Sequence, residues 1–327
     1  MINRRHLIAS GAALAVAGCG RKERALNSAD AHASDYPTVQ GVQAMADMIA
    51  ERSGGRLSMK IFAGGQLGSE RDTLELTVFG ALDLNRVNLA PLNSIASETV
   101  VPALPFLFNS IGHMRRALDG APGQAILDSL EPHGLVGLCF YDSGARSFYN
   151  TRGPIMEPSD LRGLKIRVPN SDVYVSMVGA LGANATPMSF GEVYQGLVQG
   201  VIDGAENNWP SYEATRHFEA ARYYSLSRHV MAPEALVMSK RSWDRLSPDD
   251  QDLFRQAARD SVPVMRALWD ARVDASRQRV LDAGIQANEI PDIGAFSERM
   301  GDVWDRYVTT DIQRRLVEDI RNMGAEA

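Results

Sequence analysis

A basic excess, paired cysteines and a second long apolar run are all missing from this chain of 327 residues. Lysine and arginine number 34 against 40 aspartate and glutamate, a formal charge of -6, and no run of basic residues occurs. The electrostatic footprint of a nucleic-acid binder is therefore absent. Only Cys19 and Cys139 are present. Beyond the first twenty or so residues, no stretch is apolar enough for a transmembrane helix. The common catalytic signatures are also missing: no G-x-S-x-G elbow, no G-x-G-x-x-G loop, no Walker sequence and no H-E-x-x-H. His6, His32, His113, His133, His217 and His229 never fall at paired metal-ligand spacing, and the acids around Asp203 and Glu206 do not follow the calcium-loop order. Neither a metal nor a cofactor is expected, and the prior for an enzyme falls.

What is present begins at the N-terminus. Arg4 and Arg5 precede an apolar run from Leu7 to Ala17, followed by Val16-Ala17-Gly18-Cys19. A positive start, a short apolar segment and small residues describe an export signal over residues 1–19, too short to span a bilayer. The ending looks like a bacterial lipobox, which would make Cys19 the lipidated first residue of the mature chain. Asn3-Arg4-Arg5-His6-Leu7-Ile8 also looks, weakly, like a twin-arginine signal. A plain secretory signal that contains a cysteine is the alternative. Cys139 lies within Leu135-Val136-Gly137-Leu138-Cys139-Phe140, where a small buried hydrophobe is expected rather than a reactive thiol.

Residues 20–34 are polar and lack periodicity, and read as a tether. From there strand and helix alternate. Val42, Met45, Ala46 and Ile49 recur at helical spacing before Gly54-Gly55, and Leu57, Met59 and Ile61 alternate as a strand. Ser69 and Asp72 are placed to cap a helix that ends near Gly80, and 81–89 reads as a strand. The rhythm returns with strands at 164–168, 201–205 and 234–239, and helices at 172–181 and 190–199. Such alternation means an α/β fold. The length exceeds what one core usually serves, and the two groups part near residue 145, so two similar lobes are expected rather than one large sheet. Ser247-Pro248-Asp249-Asp250 starts a helix that persists to about Ala283, broken or kinked at Pro263. Unbroken, it would be about 50 Å long and bridge both lobes. The division expected is 35–143 with 233–272 in lobe I, and 144–232 with 273–327 in lobe II.

Three segments put polar groups at lobe edges: 144–150 around Arg146, 161–170 around Arg167, and 203–210 with Glu206, Asn207, Asn208 and Trp209. Strand ends at the edge of an open α/β sheet are where ligands bind. Arginine suits a carboxylate through its planar pair of N–H donors, and asparagine both donates and accepts. Trp209 offers a flat face for a sugar ring or a lobe contact.

The chain resembles the solute-binding subunits of TRAP transporters (tripartite ATP-independent periplasmic transporters), in the branch that handles organic acids. The stretches that carry the likeness are Ser53-Gly54-Gly55-Arg56, Gly65-Gln66-Leu67-Gly68-Ser69-Glu70, Gly80-Ala81-Leu82-Asp83, Leu164-Lys165-Ile166-Arg167-Val168-Pro169, Thr186 to Tyr194 and Val201 to Asn207. The resemblance implies a two-lobed periplasmic binding protein with its cleft between the lobes. It implies Arg167 as the carboxylate clamp, Arg146 as a second cationic contact, and Asn207 ordering Arg167 or touching the same carboxylate. Asn170, Phe190, Glu70, Asn88 and Glu234 occupy cleft-lining positions in relatives. The implied partners are an organic acid and the TRAP membrane subunits, with no bond made or broken.

The asparagines with Trp209, and the Glu206-to-Tyr212 stretch, resemble receptors for sugar acids such as glucuronate and galacturonate. C4-dicarboxylates and other organic acids are the near alternatives. An exported enzyme acting on sugar acids through Glu70 and Glu234 is the rival of another class, and an interaction module docking through the long helix is the third.

Overall fold

The computed structural model describes residues 24–325; the export signal and Cys19 lie outside them. Among the described residues nine strands make one sheet: β1 (Arg24–Ala29), β2 (Leu57–Phe62), β3 (Leu84–Asn88), β4 (Leu135–Asn150), β5 (Lys165–Val168), β6 (Asn184–Pro187), β7 (Gly204–Asn207), β8 (Tyr223–Ser239) and β9 (Gln286–Glu289). Their order is β2-β1-β3-β8-β4-β7-β5-β6, with β9 beside β8.

The pairing shows how one sheet serves two lobes. In lobe I, β1 runs parallel to β2 and β3, and β3 is antiparallel to residues 234–238 of β8. In lobe II, β5 runs parallel to β6 and β7, and β7 is antiparallel to residues 147–150 of β4. The long strands β4 and β8 pair with each other through both halves. The two βα groups expected from sequence are thus real, but hydrogen bonding runs continuously between them. Where β4 crosses the boundary its register shifts between Asp142 and Ala145. Gly144 sits in this bulge at φ 63°, with Trp269 so close that an added Cβ would lie 3.1 Å from its ring. Both the backbone angle and the space call for glycine.

Each lobe is a three-layer sandwich. One face of the lobe I sheet packs Val42, Met45 and Ile49 of the Pro37–Arg52 helix with Phe254, Met265 and Trp269 of the long helix. The other face packs Leu89, Met114 and Ile126 with Leu316, Val317 and Ile320. The last three belong to the Asp311–Ala325 helix. The Asp311–Ala325 helix therefore packs on the lobe I sheet, although the expected division put 273–327 in lobe II. Its amphipathic face completes the lobe I core, a long-range pairing that periodicity alone does not specify.

The long helix is unbroken from Pro248 to Asp282, with Pro263 inside it. Pro263 and Arg259, whose carbonyl loses its i+4 donor, are both exposed, so water can take the missing bond. Arg56 pairs with Asp250 near its start, and Glu213 receives Arg272 and Arg279 near its end. The helix is thus tied to both lobes.

The tether expected over 20–34 is corrected within the described residues. Arg24–Ala29 is β1, hydrogen-bonded on both sides, with Leu26 and Ser28 fully buried. Ala25 is exposed and Asn27 half-buried on the other face, so with Leu26 as its one large apolar side chain the strand shows neither a clear alternation nor an apolar run.

Candidate ligand-binding cleft

The carboxyl ends of β1, β3, β5 and β7 converge where β4 and β8 cross between lobes, as the switch-point rule requires. A cleft of about 30 Å³ lies there. Lobe I lines it with His32, Glu70, Asn88, Ser143 and Glu234; lobe II supplies Arg146, Arg167, Pro169, Phe190, Asn207 and Ser211.

The lobe II side is cationic, and its two arginines are held differently. Arg146 uses four of its five N–H donors within the fold. Its Nε and Nη2 donate to the Glu206 carboxylate at 2.5 and 2.7 Å, Nη2 also to the Glu206 carbonyl at 2.8 Å, and Nη1 to Asn207 Oδ1 at 3.1 Å. One Nη1 proton remains. Burial alone would push the Glu206 carboxyl up, but Arg146 and a 3.3 Å contact to His229 hold it at about 2. Arg167 is 4% exposed, and its Nε and Nη2 donate only to the Met188 carbonyl, at 2.9 and 2.7 Å. Among the described residues no carboxylate pairs with it. Burial above all pulls its pKa below the ordinary arginine value, yet a guanidinium stays protonated. The site therefore holds a buried cation with its outer edge unclaimed. Phe190 faces it, ring centre 6.0 Å from the guanidinium carbon.

The lobe I side is acidic. Arg86, fully buried in β3, binds Asp30 through two nitrogens, Glu70 at 3.1 Å and Glu234 at 2.5 Å. One cation meets three carboxyl groups. Burial is the main cause that raises Asp30 and Glu70 above their ordinary values; for Glu70 the charges of Glu234 and Asp30 add to it, against Arg86. Asn88 ties the group to the cleft: its backbone N–H donates to Glu70 at 3.1 Å and its Nδ2 to Glu234 at 3.3 Å.

The lobes touch around this cleft. Tyr36 OH lies 2.8 Å from Ser211 Oγ, and the Asn93 carboxamide 2.8 Å from the Ser171 hydroxyl. The His32 ring lies between Tyr36 and Phe190.

The cleft thus contains Arg167, Arg146, Asn207, Phe190, Glu70, Asn88 and Glu234 of the residues expected from sequence. Asn207 orders Arg146 rather than Arg167. Three residues fall elsewhere. Asn170 is exposed and lines a neighbouring cavity with Arg71, Asn93 and Tyr307. Asn208 is spent on structure: it caps the Trp209–Ala214 helix through Ser211 N and donates to the Ser143 carbonyl. Trp209 stacks one face on Tyr224 at 3.7 Å within the lobe II core and does not line this cleft. Sequence reasoning missed Asp30, His32 and Arg86. The available signal was an arginine in the middle of a buried strand, which needs countercharges nearby.

Residues 28–311 match the family described as bacterial extracellular solute-binding protein, family 7. A solute-binding protein of Chromohalobacter salexigens is 44% identical over 292 residues, 89% of this chain and 87% of that one. The solved TRAP periplasmic solute-binding protein of Bradyrhizobium sp. BTAi1, in complex with D-galacturonate, superposes at a TM-score of 0.90. It is 51% identical and covers 91% of this chain and 100% of its own. A second from Chromohalobacter salexigens, with bound D-glucuronate, gives 0.89 at 42% identity, covering 91% and 99%. With two lobes, a polar cleft at the sheet crossover and a match over most of its length, the chain belongs to family 7 of the bacterial extracellular solute-binding proteins, as a receptor of the TRAP type.

Proposed function

We propose that this receptor binds a hexuronate, glucuronate or galacturonate, between its lobes and hands it unchanged to TRAP membrane subunits. The observation that carries this reading is the polarity of the cleft. Arg167 is a buried cation without a countercharge on one side, and Arg86 with Asp30, Glu70 and Glu234 makes an acidic wall on the other. A ligand with one carboxylate satisfies Arg167, with the last Nη1 proton of Arg146 and the Asn207 amide nitrogen beside it. Its far end must then offer hydroxyl donors, because Glu70, Glu234 and the Asn88 carboxamide hold the acceptors there. A second carboxylate at that end would face like charge, which ranks C4-dicarboxylates lower. The solved relatives with bound uronates agree with this ranking.

Titration calorimetry of the mature protein against glucuronate, galacturonate and succinate tests it. Uronate binding at least tenfold tighter than succinate is expected; the reverse order would discard the ligand and keep the receptor. Recovery of the sugar acid unaltered after prolonged incubation separates the receptor from an enzyme. In this reading 24–143 and 233–272 move with the Asp311–Ala325 helix as one lobe, and 144–232 with 273–307 as the other. Lipidation of Cys19 after export would tether the receptor in the periplasm; Cys19→Ser should then release it from the membrane fraction.

A further inference from the structure

His32 carries no motif, but its placement is exact on three sides. Its backbone N–H donates to Asp30 Oδ1 at 2.8 Å and its carbonyl accepts from Gly64 N at 2.6 Å. Asp30 is itself locked by Arg86. The ring lies face to face with Tyr36, centroids 3.9 Å apart at 14°, and meets Phe190 of the other lobe edge-on at 5.1 Å and 76°. It is 9% exposed and lines the cleft. Among the described residues neither ring nitrogen has a hydrogen-bond partner, whereas His113, His217 and His229 all use a ring nitrogen within the fold. A ring held this firmly with both polar atoms unspent is built to meet something that enters the cleft.

The chemistry of that something follows from the state of the ring. Burial, then the nearby Arg86 and Arg146, push the imidazole well below its ordinary range, so it is neutral and presents one donor and one acceptor. A carboxylate can use only the donor and is better served by Arg167. A hydroxyl can use either nitrogen.

We propose that His32 is a specificity-determining contact that hydrogen-bonds a ring hydroxyl of the bound sugar acid. This rests on the hexuronate reading above. A packing role alone, filling the gap between Tyr36 and Phe190, is the competing account, and the two separate cleanly by substitution. His32→Phe keeps a flat ring between the two neighbours but has no polar atom; His32→Gln keeps a donor and an acceptor but loses the stack.

The test is titration calorimetry of wild type, H32F and H32Q with D-glucuronate. Competition against cyclohexanecarboxylate, which keeps the carboxylate and a six-membered ring but has no hydroxyl, completes it. Loss of one hydrogen bond to a buried polar group predicts glucuronate binding weakened about 10- to 100-fold in H32F. Cyclohexanecarboxylate should change less than about threefold, and H32Q should recover part of the glucuronate loss. Glucuronate affinity within twofold of wild type in H32F, or equal losses for both acids, would overturn the proposal. If H32F does not fold, H32Q decides alone: it must weaken glucuronate less than H32A does. A wild type that binds glucuronate while H32F is unaffected sinks only this inference; a wild type that binds no uronate sinks the hexuronate reading with it.

Discussion

Arg146 and Arg167 sit on the same side of the cleft, both buried, with opposite consequences for stability. Arg146 is matched by Glu206, so removing it leaves a buried carboxylate without compensation. Arg146→Met should destabilise the protein by about 3–5 kcal/mol. Arg167 has only the Met188 carbonyl, so its desolvation is uncompensated until a ligand arrives. Arg167→Met should therefore raise the melting temperature of the ligand-free protein while weakening ligand binding by about 2–5 kcal/mol. Denaturation scans and calorimetry on the two variants check both signs; a fall in stability for Arg167→Met would mean the guanidinium is paid for within the fold. Glu70 gives a pH-dependent case. Its folded pKa lies above its ordinary value of 4.5, because of burial and the neighbouring acids. Its ionisation therefore opposes folding, a penalty absent below the unfolded pKa and complete above the folded one. Glu70→Gln removes that penalty, so its melting temperature relative to wild type should rise as the pH climbs above 4.5. A difference independent of pH would count against a raised Glu70.

Between elements, a close approach worth testing is that of the Pro37–Arg52 helix to the long helix. A Cβ on Gly41 would lie 2.8 Å from Met265 Cβ and 3.1 Å from the Tyr141 ring. Gly41→Ala should cost about 1–3 kcal/mol by overpacking, read as a lower denaturation midpoint; an unchanged midpoint would mean the long helix shifts freely at that crossing. Local signals foretold the elements well where chemistry is local. Ser69 and Asp72 form the capping box that their spacing suggested, and Gly80 ends that helix at φ 78°. The Lys165-Ile166-Arg167-Val168 alternation placed Arg167 correctly on a strand. What stayed hidden depends on a strand with few apolar side chains or on distant partners. β1 has no pattern to read. Trp209 sits among asparagines as a ligand platform would, yet its stacking partner Tyr224 lies fifteen residues on, in a different element. Arg86 and His32 acquire meaning only once β1 and β3 are neighbours in the sheet.

At the scale of the molecule, the cleft takes its walls from both lobes, so binding and release turn on how the lobes move. Tyr36 with Ser211 and Asn93 with Ser171 join the lobes beside it. Ligand entry calls for the lobes to part, and among the described residues the main-chain paths between them at the sheet are β4 and β8, with the bulge around Gly144 in β4. The long helix, held at both ends by ion pairs, limits how they can turn. Closure is then a two-state equilibrium that ligand biases, and contacts made only in the closed form set how long the ligand stays. Asn93 with Ser171 is such a contact: it crosses the lobes and its residues do not line the ligand cleft. Ser171→Ala removes one hydrogen bond of the closed form, worth about 0.5–1.5 kcal/mol, and so should weaken affinity about 2- to 10-fold. Because the bond forms after the ligand has docked, the loss should fall on the dissociation rate and leave association unchanged. Stopped-flow measurement of both rates decides the matter. A slower association with unchanged dissociation would place the Asn93–Ser171 contact before docking, and would make the open form something more ordered than two lobes joined by their shared strands and helix.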